Sequence, residues 1–229
     1  MKKVRVSGLL VCTALVLCLT GCPPRPPKET TTTEGTTEVT TTTTVVETEL
    51  RKPTGAVTSD KFNDFSDMSF SYNGKKYTLG VTKLSELVDD GVPISNSSSD
   101  FDQVVDKQSS YYKGFSFDVI PYRSATMTVA NYTDNDLPAK DCVISSFTLS
   151  PISELPEGVV TFNFPDLFTK DDVINSIGEP AQKSEFESNG SKFEIISYEQ
   201  ASDVYYGTRR YEYTFKDGVI DTISMSYIP

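Results

Sequence analysis

The stretch Thr169–Pro180 reads TKDDVINSIGEP and carries the start and stop signals of a short helix. Thr169 is a typical N-cap residue, and an acid three positions later, Asp172, supplies the second half of a capping box. Gly178 favours the end of a helix, and Pro180 cannot continue one. The apolar positions on one side of this helix are Val173, Ile174 and Ile177. The stretch therefore predicts a helix of about two turns with one buried face.

Strands are predicted after this helix. Asn189-Gly190 is a strong hairpin signal, and it separates two runs of alternating residues, 182–187 and 192–198. Asp217-Gly218 is a second turn signal, between an alternating Tyr-rich run and a final apolar one. One helix followed by four antiparallel strands is an α+β meander, with the helix packed on one face of the sheet.

The first half of the chain carries the same signals. A Gly-x-Pro sequence at Gly91 recurs at Gly178, 87 positions later, and a Thr-Lys pair precedes both predicted helices. The apolar positions of the two helices do not correspond one for one at this spacing. We predict an α+β fold with two repeats, 60–150 and 151–229, each a short helix packed on an antiparallel β-meander. The alternative is two unrelated helices with ordinary end signals.

Two features carry a resemblance to known families: the helix Thr169–Pro180 and the Tyr-rich strands that follow it, up to Phe215-Lys-Asp-Gly-Val219. Together they resemble a recurring unit of Firmicutes surface lipoproteins. The order of helix, Gly-x-Pro and strands is also similar to the small outer-membrane-assembly lipoproteins and to the repeats of the β-lactamase inhibitor protein. The resemblance covers mostly residues 155–229. It implies an α+β fold and a non-catalytic, protein-binding role.

The amino terminus has the three parts of an export signal. A basic start precedes an uncharged, largely apolar run that is too short for a permanent transmembrane helix. The end of this run resembles the lipobox of bacterial lipoproteins: Leu19, Thr20, Gly21 and Cys22. The resemblance implies that residues 1–21 are a signal peptide and that Cys22 carries lipid. An uncleaved membrane anchor with an unmodified Cys22 is the alternative.

Residues 22–59 are predicted to form a disordered tether. Prolines follow Cys22 closely and favour an extended chain, and a Thr-rich run with scattered glutamates comes next. Apolar residues are too sparse in this segment to offset the entropy of ordering it. The segment is interpreted as a spacer, and O-linked glycosylation of its threonines is a further hypothesis. A long spacer favours a domain displayed outside the cell membrane of a Gram-positive host.

Charge and composition exclude several classes of function. The formal net charge is −11, and loss of the basic leader makes the mature chain more acidic still. This charge disfavours nucleic acids and anionic lipid head groups as partners, so we expect the membrane to be reached through the lipid on Cys22. The chain has no histidine, which excludes the usual Ser-His-Asp and Cys-His systems and histidine metal sites. We expect no cofactor, no metal and no catalytic residue.

Tyrosine is the main candidate for a binding site. The chain has 12 tyrosines and no tryptophan. A binding face for peptide or sugar is predicted at Tyr205, Tyr206, Tyr211 and Tyr213, because tyrosine brings a large contact area at a low entropy cost. The alternative is that these rings cover a thin sheet core with their hydroxyls reaching water.

Cys142 is the one cysteine outside the leader and lipobox. It begins an alternating run that we interpret as a strand, so the thiol is expected in the core. Regular alternation puts Cys142 and Ile144 on one face, and Phe147 and Leu149 on the other.

These features predict a lipid-anchored extracytoplasmic lipoprotein that displays a non-catalytic binding or scaffold domain to a protein or glycan partner outside the cell. A protein inhibitor or an envelope-assembly accessory is the alternative that the resemblance suggests. A cell-wall-modifying enzyme comes third, because none of the carboxylate pairs in the sequence is distinguished from the others.

Overall fold

The computed structural model describes residues 50–110 and 114–229. The predicted signal peptide, the lipobox Leu19–Cys22 and the tether up to residue 49 lie outside the described residues. Within the described ranges, no helix is both long enough and apolar enough to cross a membrane.

The described chain is mostly strand, with short helices. The helices are α1 (Leu84–Asp89), α2 (Ser98–Phe101) and α3 (Lys170–Ile177), and 3-10 turns cover Ala139–Asp141 and Ile152–Glu154. The strands are β1 (Ser69–Tyr72), β2 (Lys75–Thr78), β3 (Val104–Val105), β4 (Ser109–Ser110), β5 (Phe115–Ile120), β6 (Arg123–Asn131), β7 (Leu137–Pro138), β8 (Val143–Leu149), β9 (Val160–Phe162), β10 (Gln182–Ser188), β11 (Ser191–Ala201), β12 (Thr208–Lys216) and β13 (Val219–Ser226).

The strands form one large antiparallel sheet and two small ones. The large sheet has the order β10-β11-β12-β13-β8-β6-β4, and β5 also pairs with β6. A smaller sheet has the order β2-β1-β9, and β3 pairs with β7. The fold is therefore α+β with mostly antiparallel sheet, which confirms the predicted class.

The helix that the sequence marked most clearly is α3. The N-cap Thr169 and Asp172 form the predicted capping box: the Asp172 N–H donates to Thr169 Oγ1 at 3.2 Å, and the Thr169 N–H donates to Asp172 Oδ2 at 2.8 Å. Gly178 ends the helix with a φ of 87°, a conformation that favours glycine. Strands β10 to β13 then follow as consecutive antiparallel neighbours, as predicted.

The tight turns also follow the sequence signals. Asn73-Gly74, Asn189-Gly190 and Asp217-Gly218 all have positive φ at both residues. Two positive φ angles are the requirement of a type I′ hairpin turn, whose twist matches that of the strands it joins.

The described residues share a single hydrophobic core, so the predicted boundary between residues 150 and 151 does not separate two cores. Strand β1 pairs with β9, and β8 pairs with β13, across that boundary. In the core, the ring of Phe147 from β8 stacks on Phe70 from β1 with centroids 3.8 Å apart. The ring centroid of Phe147 also lies 6.2 Å from that of Phe162 in β9. Phe147 therefore joins the large sheet to the sheet formed by β2, β1 and β9.

A β-bulge at Ser145 changes which side chains of β8 are buried. The register steps from Thr128–Ser146 to Val129–Ile144, so Ser145 is the extra residue. Because the bulge absorbs one residue, Ile144, Phe147 and Leu149 are all buried in the same core, together with Cys142. The prediction that Phe147 and Leu149 face away from Cys142 and Ile144 is therefore wrong.

Residues 50–59, which we call the N-terminal strap, pack on the folded unit instead of belonging to the tether. Arg51 donates its backbone N–H to Ser153 O at 3.1 Å and forms an ion pair with Asp166 at 2.8 Å. Farther along, the Val57 N–H donates to Asp172 Oδ1 at 3.0 Å. The predicted end of the tether at residue 59 is therefore wrong. Residues 50–59 have few apolar side chains, but backbone hydrogen bonds and an ion pair hold them on the folded unit.

Replacing Asp172 with alanine is expected to lower the free energy of unfolding by about 1–3 kcal/mol, because two N–H groups lose their acceptor. Burial acts to raise the pKa of Asp172, but hydrogen bonds from Val57 and Thr169 outweigh it, and the pKa is lowered. A lowered pKa stabilises the fold above the ordinary pKa of aspartate, and that contribution is lost as the pH falls through the folded-state pKa. Urea unfolding should show the difference between wild type and variant shrinking in acid.

Asp171→Ala is the matched control. Asp171 lies beside Asp172 in the first turn of α3, but it is exposed. Removing it takes the same charge from the same helix end, so the effect should stay within about 0.5 kcal/mol. Equal effects of the two substitutions would mean that the hydrogen bonds Asp172 accepts from Val57 and Thr169 contribute nothing.

Candidate functional site

Tyr211 and Tyr213 of β12 lie in the core, with 0% of either side chain exposed. The Tyr211 hydroxyl donates to the backbone carbonyl of Asp64 at 3.1 Å, and that of Tyr213 donates to the carbonyl of Phe62. Burial raises the pKa of both phenols well above the usual value for tyrosine. These two residues do not share a surface with Tyr205 and Tyr206, so the predicted four-residue binding face is wrong for them.

Tyr205 and Tyr206 lie in the loop 202–207 between β11 and β12. Tyr206 is fully exposed. Tyr205 is half-buried, and its hydroxyl donates to the backbone carbonyl of Tyr132 at 3.2 Å. The rings of Tyr205 and Tyr132 lie 5.7 Å apart between centroids. One ring is thus fixed against the fold while its neighbour stands in solvent.

Tyr132 and Tyr227 complete this group, which we call the tyrosine cluster (Tyr132, Tyr205, Tyr206 and Tyr227). The Tyr132 hydroxyl donates to the backbone carbonyl of Tyr227 at 2.7 Å. The Tyr227 ring has the Arg209 guanidinium 4.9 Å from its centroid, and it also packs against Gly80. A Cβ on Gly80 would lie 2.1 Å from a ring carbon of Tyr227, so only glycine allows this approach.

The tyrosine cluster borders a pocket of about 490 Å³, which we call the tyrosine pocket. This volume is within the range of about 300–1,000 Å³ that is typical of small-molecule sites. Residues from β4, β6, β8, β13 and the loop 202–207 line it. They are Gln108, Ser109, Ser110, Thr128, Ala130, Tyr132, Ser145, Ser146, Tyr205, Tyr206, Ser226, Tyr227 and Ile228.

Hydroxyl groups from the large sheet contribute to the pocket lining. Thr128 pairs with Ser146, and Ser146 pairs with Ser226, so the three side chains lie on one face of the sheet. Thr128 Oγ1 lies 2.6 Å from Ser146 Oγ and 3.0 Å from Ser145 Oγ, and the Thr128 N–H donates to Ser146 Oγ at 3.2 Å. These contacts hold the hydroxyls of Thr128, Ser145 and Ser146 in place relative to one another.

The described lining of the pocket carries no charged side chain, although charged residues make up 23% of the chain. Burial raises the pKa of Tyr132, and the nearby phenols of Tyr227 and Tyr205 act in the same direction. The Tyr132 phenol therefore keeps its proton at neutral pH.

Cys142 is buried in the core, as predicted. Burial raises the pKa of its thiol to about 11, and Asp141 acts in the same direction. A thiol with this pKa is almost wholly protonated at neutral pH, where it is a poor nucleophile.

Sequence reasoning singled out Tyr205 and Tyr206 but did not place Tyr132, Tyr227 and the pocket hydroxyls beside them. Tyr132 and Tyr227 are separated by 95 positions and meet only in the folded sheet. A signal for the hydroxyls was present, because serine and threonine recur at outward positions of three alternating strands. They are Thr126 and Thr128 in β6, Ser146 and Thr148 in β8, and Thr222, Ser224 and Ser226 in β13.

No family model, curated protein or solved structure matches the chain. The function of the tyrosine pocket must therefore be inferred from its own geometry and chemistry.

Proposed function

We propose that the protein is a lipid-anchored lipoprotein whose folded unit is a non-catalytic binding scaffold outside the cell. Lipid on Cys22 holds the chain at the membrane, the residues before the strap act as a spacer, and the tyrosine pocket receives the ligand. The observation that carries the binding role is the pocket, in which the exposed ring of Tyr206 stands beside hydroxyls that are already fixed. Aromatic rings beside fixed polar groups are typical of binding sites.

We also infer that the folded unit arose by tandem duplication, and the way each helix begins supports this. Lys83, the N-cap of α1, forms a bridge with Val143, the first residue of β8. Thr169, the N-cap of α3, forms the same bridge with Val219, the first residue of β13. The two N-caps are 86 positions apart, and at this spacing the buried Leu87 corresponds to the buried Val173.

The bulges of the large sheet support the same inference. Strand β6 pairs with β8 through Thr128–Ser146, and the register then skips Ser145. Strand β12 pairs with β13 through Thr214–Thr222, and the register then skips Asp221. Thr128 and Thr214 are again 86 positions apart, so both the helix starts and the bulges follow one spacing.

The middle of the large sheet fits a local two-fold axis between the two halves. At the spacing that relates β8 to β13, Thr148 corresponds to Ser224, and these two residues pair directly, with their hydroxyl oxygens 2.8 Å apart. The same two-fold rotation places the neighbouring pair Leu149–Ile223 on the pair Met225–Phe147. A duplicated scaffold with one wide sheet agrees with a binding role, because the sheet supplies rigid positions for a ligand.

Photo-crosslinking on intact cells tests the binding role. A photoreactive amino acid at Val204, which is exposed beside the pocket, should capture a partner. The same amino acid at Tyr122, which is 93% exposed in the β5–β6 turn, is the matched control and should not. Capture at neither position, or equal capture at both, would count against the pocket as the binding site.

Metabolic labelling with a palmitate analogue tests the anchor. Label is expected on the wild-type chain and is expected to disappear in Cys22→Ala, because the thiol is the lipid acceptor. The variant should also be released into the medium, since two acyl chains are what holds such a protein stably at a bilayer. Label that persists in Cys22→Ala would contradict the proposed anchor.

A further inference from the structure

The uncharged side chains in the described lining of the tyrosine pocket limit the charge of its ligand. A charged ligand that entered the pocket would lose water without gaining an opposite charge from the described lining residues. An anion would also approach a chain of net charge −11 against its repulsion. Burying a net charge in this pocket is therefore costly, and an uncharged ligand fits it better.

The hydroxyls of the pocket exclude a purely apolar ligand. Thr128, Ser145 and Ser146 have three hydroxyl protons, and the two contacts between their oxygens use two of them. One proton and several lone pairs are left for a ligand. An apolar group pressed onto them would leave them without partners, which costs free energy.

The tyrosine rings add a requirement for apolar contact. Tyr206 is fully exposed, so its ring can cover a ligand at little cost in displaced protein contacts. Aromatic faces carry partial negative charge and attract weakly positive C–H groups. The ligand should thus have C–H faces for the rings and hydroxyls that both donate and accept for the pocket hydroxyls.

The equivalent strands in the opposite half of the sheet carry charged side chains. The arrangement of the strands therefore does not by itself produce an uncharged cavity. Asp221 occupies the bulge position that corresponds to Ser145, and Lys216 corresponds to Ala130. Asp221 and Lys216 line a separate cavity of about 380 Å³, together with the charged Lys52 and Glu154. Equivalent strands therefore carry a charged cavity in one half and an uncharged one in the other.

We propose that the tyrosine pocket binds an uncharged oligosaccharide. A neutral sugar unit combines a C–H face, which packs on Tyr206, with hydroxyls, which exchange hydrogen bonds with Thr128, Ser145 and Ser146. This proposal rests on the proposed binding function and names the ligand class of the same site. A peptide is the other occupant that a neutral pocket allows, and the test below separates the two.

Calorimetric titration of the full chain, held in a detergent without a sugar head group, tests the ligand class. The probes are the neutral chitotetraose, cellotetraose, maltotetraose and mannotetraose, with tetragalacturonate as the anionic comparison. At least one neutral probe should bind with a Kd between micromolar and millimolar. Its Kd should change less than twofold between low and high salt, because a neutral ligand has no charge to screen. Binding of the anionic probe alone, or of no probe, overturns the proposal.

Variants locate the site and check its neutrality. Tyr206→Ala should weaken binding of the neutral probe at least tenfold, whereas Tyr122→Ala, which removes an equally exposed ring elsewhere, should leave the Kd within twofold. Ser110→Glu and Ser110→Lys, at an exposed position of the lining, should change the Kd in the same direction. Opposite effects of the two charges, or an unchanged Kd in Tyr206→Ala, overturn the proposal.

The two proposals can fail separately. Capture of a peptide or protein at Val204 without binding of any neutral sugar removes the oligosaccharide and leaves the binding scaffold. Failure of capture at Val204, without binding of any sugar, removes both.

Discussion

Replacing Phe147 with alanine is expected to lower the free energy of unfolding by about 3–5 kcal/mol. Phe147 is 0% exposed, and its ring contacts Phe70 in β1 and Phe162 in β9, two strands of the three-stranded sheet. Loss of the ring leaves a cavity where the two sheets meet, and close-packed neighbours fill such a cavity only in part. Because small domains are stable by only about 5–15 kcal/mol, a loss of this size removes a large share of the total stability.

Phe186→Ala is the matched control for this prediction. Phe186 lies in the edge strand β10 and is 49% exposed, with its ring stacked on Phe193 at 5.0 Å. The same substitution there should cost about 1 kcal/mol or less, because the ring is half in water already. Urea unfolding followed by circular dichroism gives both values. Equal losses would contradict the single core that spans both sheets.

Replacing Gly80 with alanine should both destabilise the fold and displace the Tyr227 ring. The residue has a φ of +76°, which costs an alanine about 1 kcal/mol or more. Its Cβ would also lie 2.1 Å from Tyr227 Cε1, far inside contact distance, so the ring must move. We expect a total loss of about 2–4 kcal/mol, since overpacking adds its own cost of about 1–3 kcal/mol.

Gly91→Ala separates these two causes. Gly91 has a φ of +79°, but its Cβ would meet nothing within 4 Å. Both variants therefore carry the same backbone strain, and the difference between their unfolding free energies measures the contact with Tyr227. The nuclear magnetic resonance signals of Tyr132 and Tyr227 should shift in Gly80→Ala only. Equal stability of the two variants would show that Tyr227 rearranges without cost.

Local signals predicted the parts of the fold whose causes are local. Helix α3 followed from Thr169, Asp172 and Gly178, because capping and termination depend on residues within one turn. The hairpins followed from Asn-Gly and Asp-Gly pairs for the same reason. These elements needed no knowledge of their neighbours in space.

The errors arose where distant residues decide the outcome. The bulge at Ser145 changes which side chains of β8 face the core. Its position depends on the pairing of β8 with β6, and the residues near Ser145 give no local signal for it. Tyr211 and Tyr213 are an exception, because their alternation with Glu212, Thr214 and Lys216 is a local signal that the tyrosine face of the strand is the buried one. The tyrosine cluster needs Tyr132 and Tyr227, which come together only when β6 and β13 have taken their places on the two sides of β8.

The strap has a mechanical consequence. Among the described residues, the contacts of Arg51 with Ser153 and Asp166 come first along the chain and would be the first of these contacts to carry a tension applied from the amino-terminal side. The load then passes to the hydrogen bond between Val57 and Asp172 before it reaches the core. Because these contacts are separate from the hydrogen bonds between the strands, we expect the strap to detach one contact at a time while the sheets stay intact. A pulled molecule would thus lengthen by the strap first and keep its tyrosine pocket in shape.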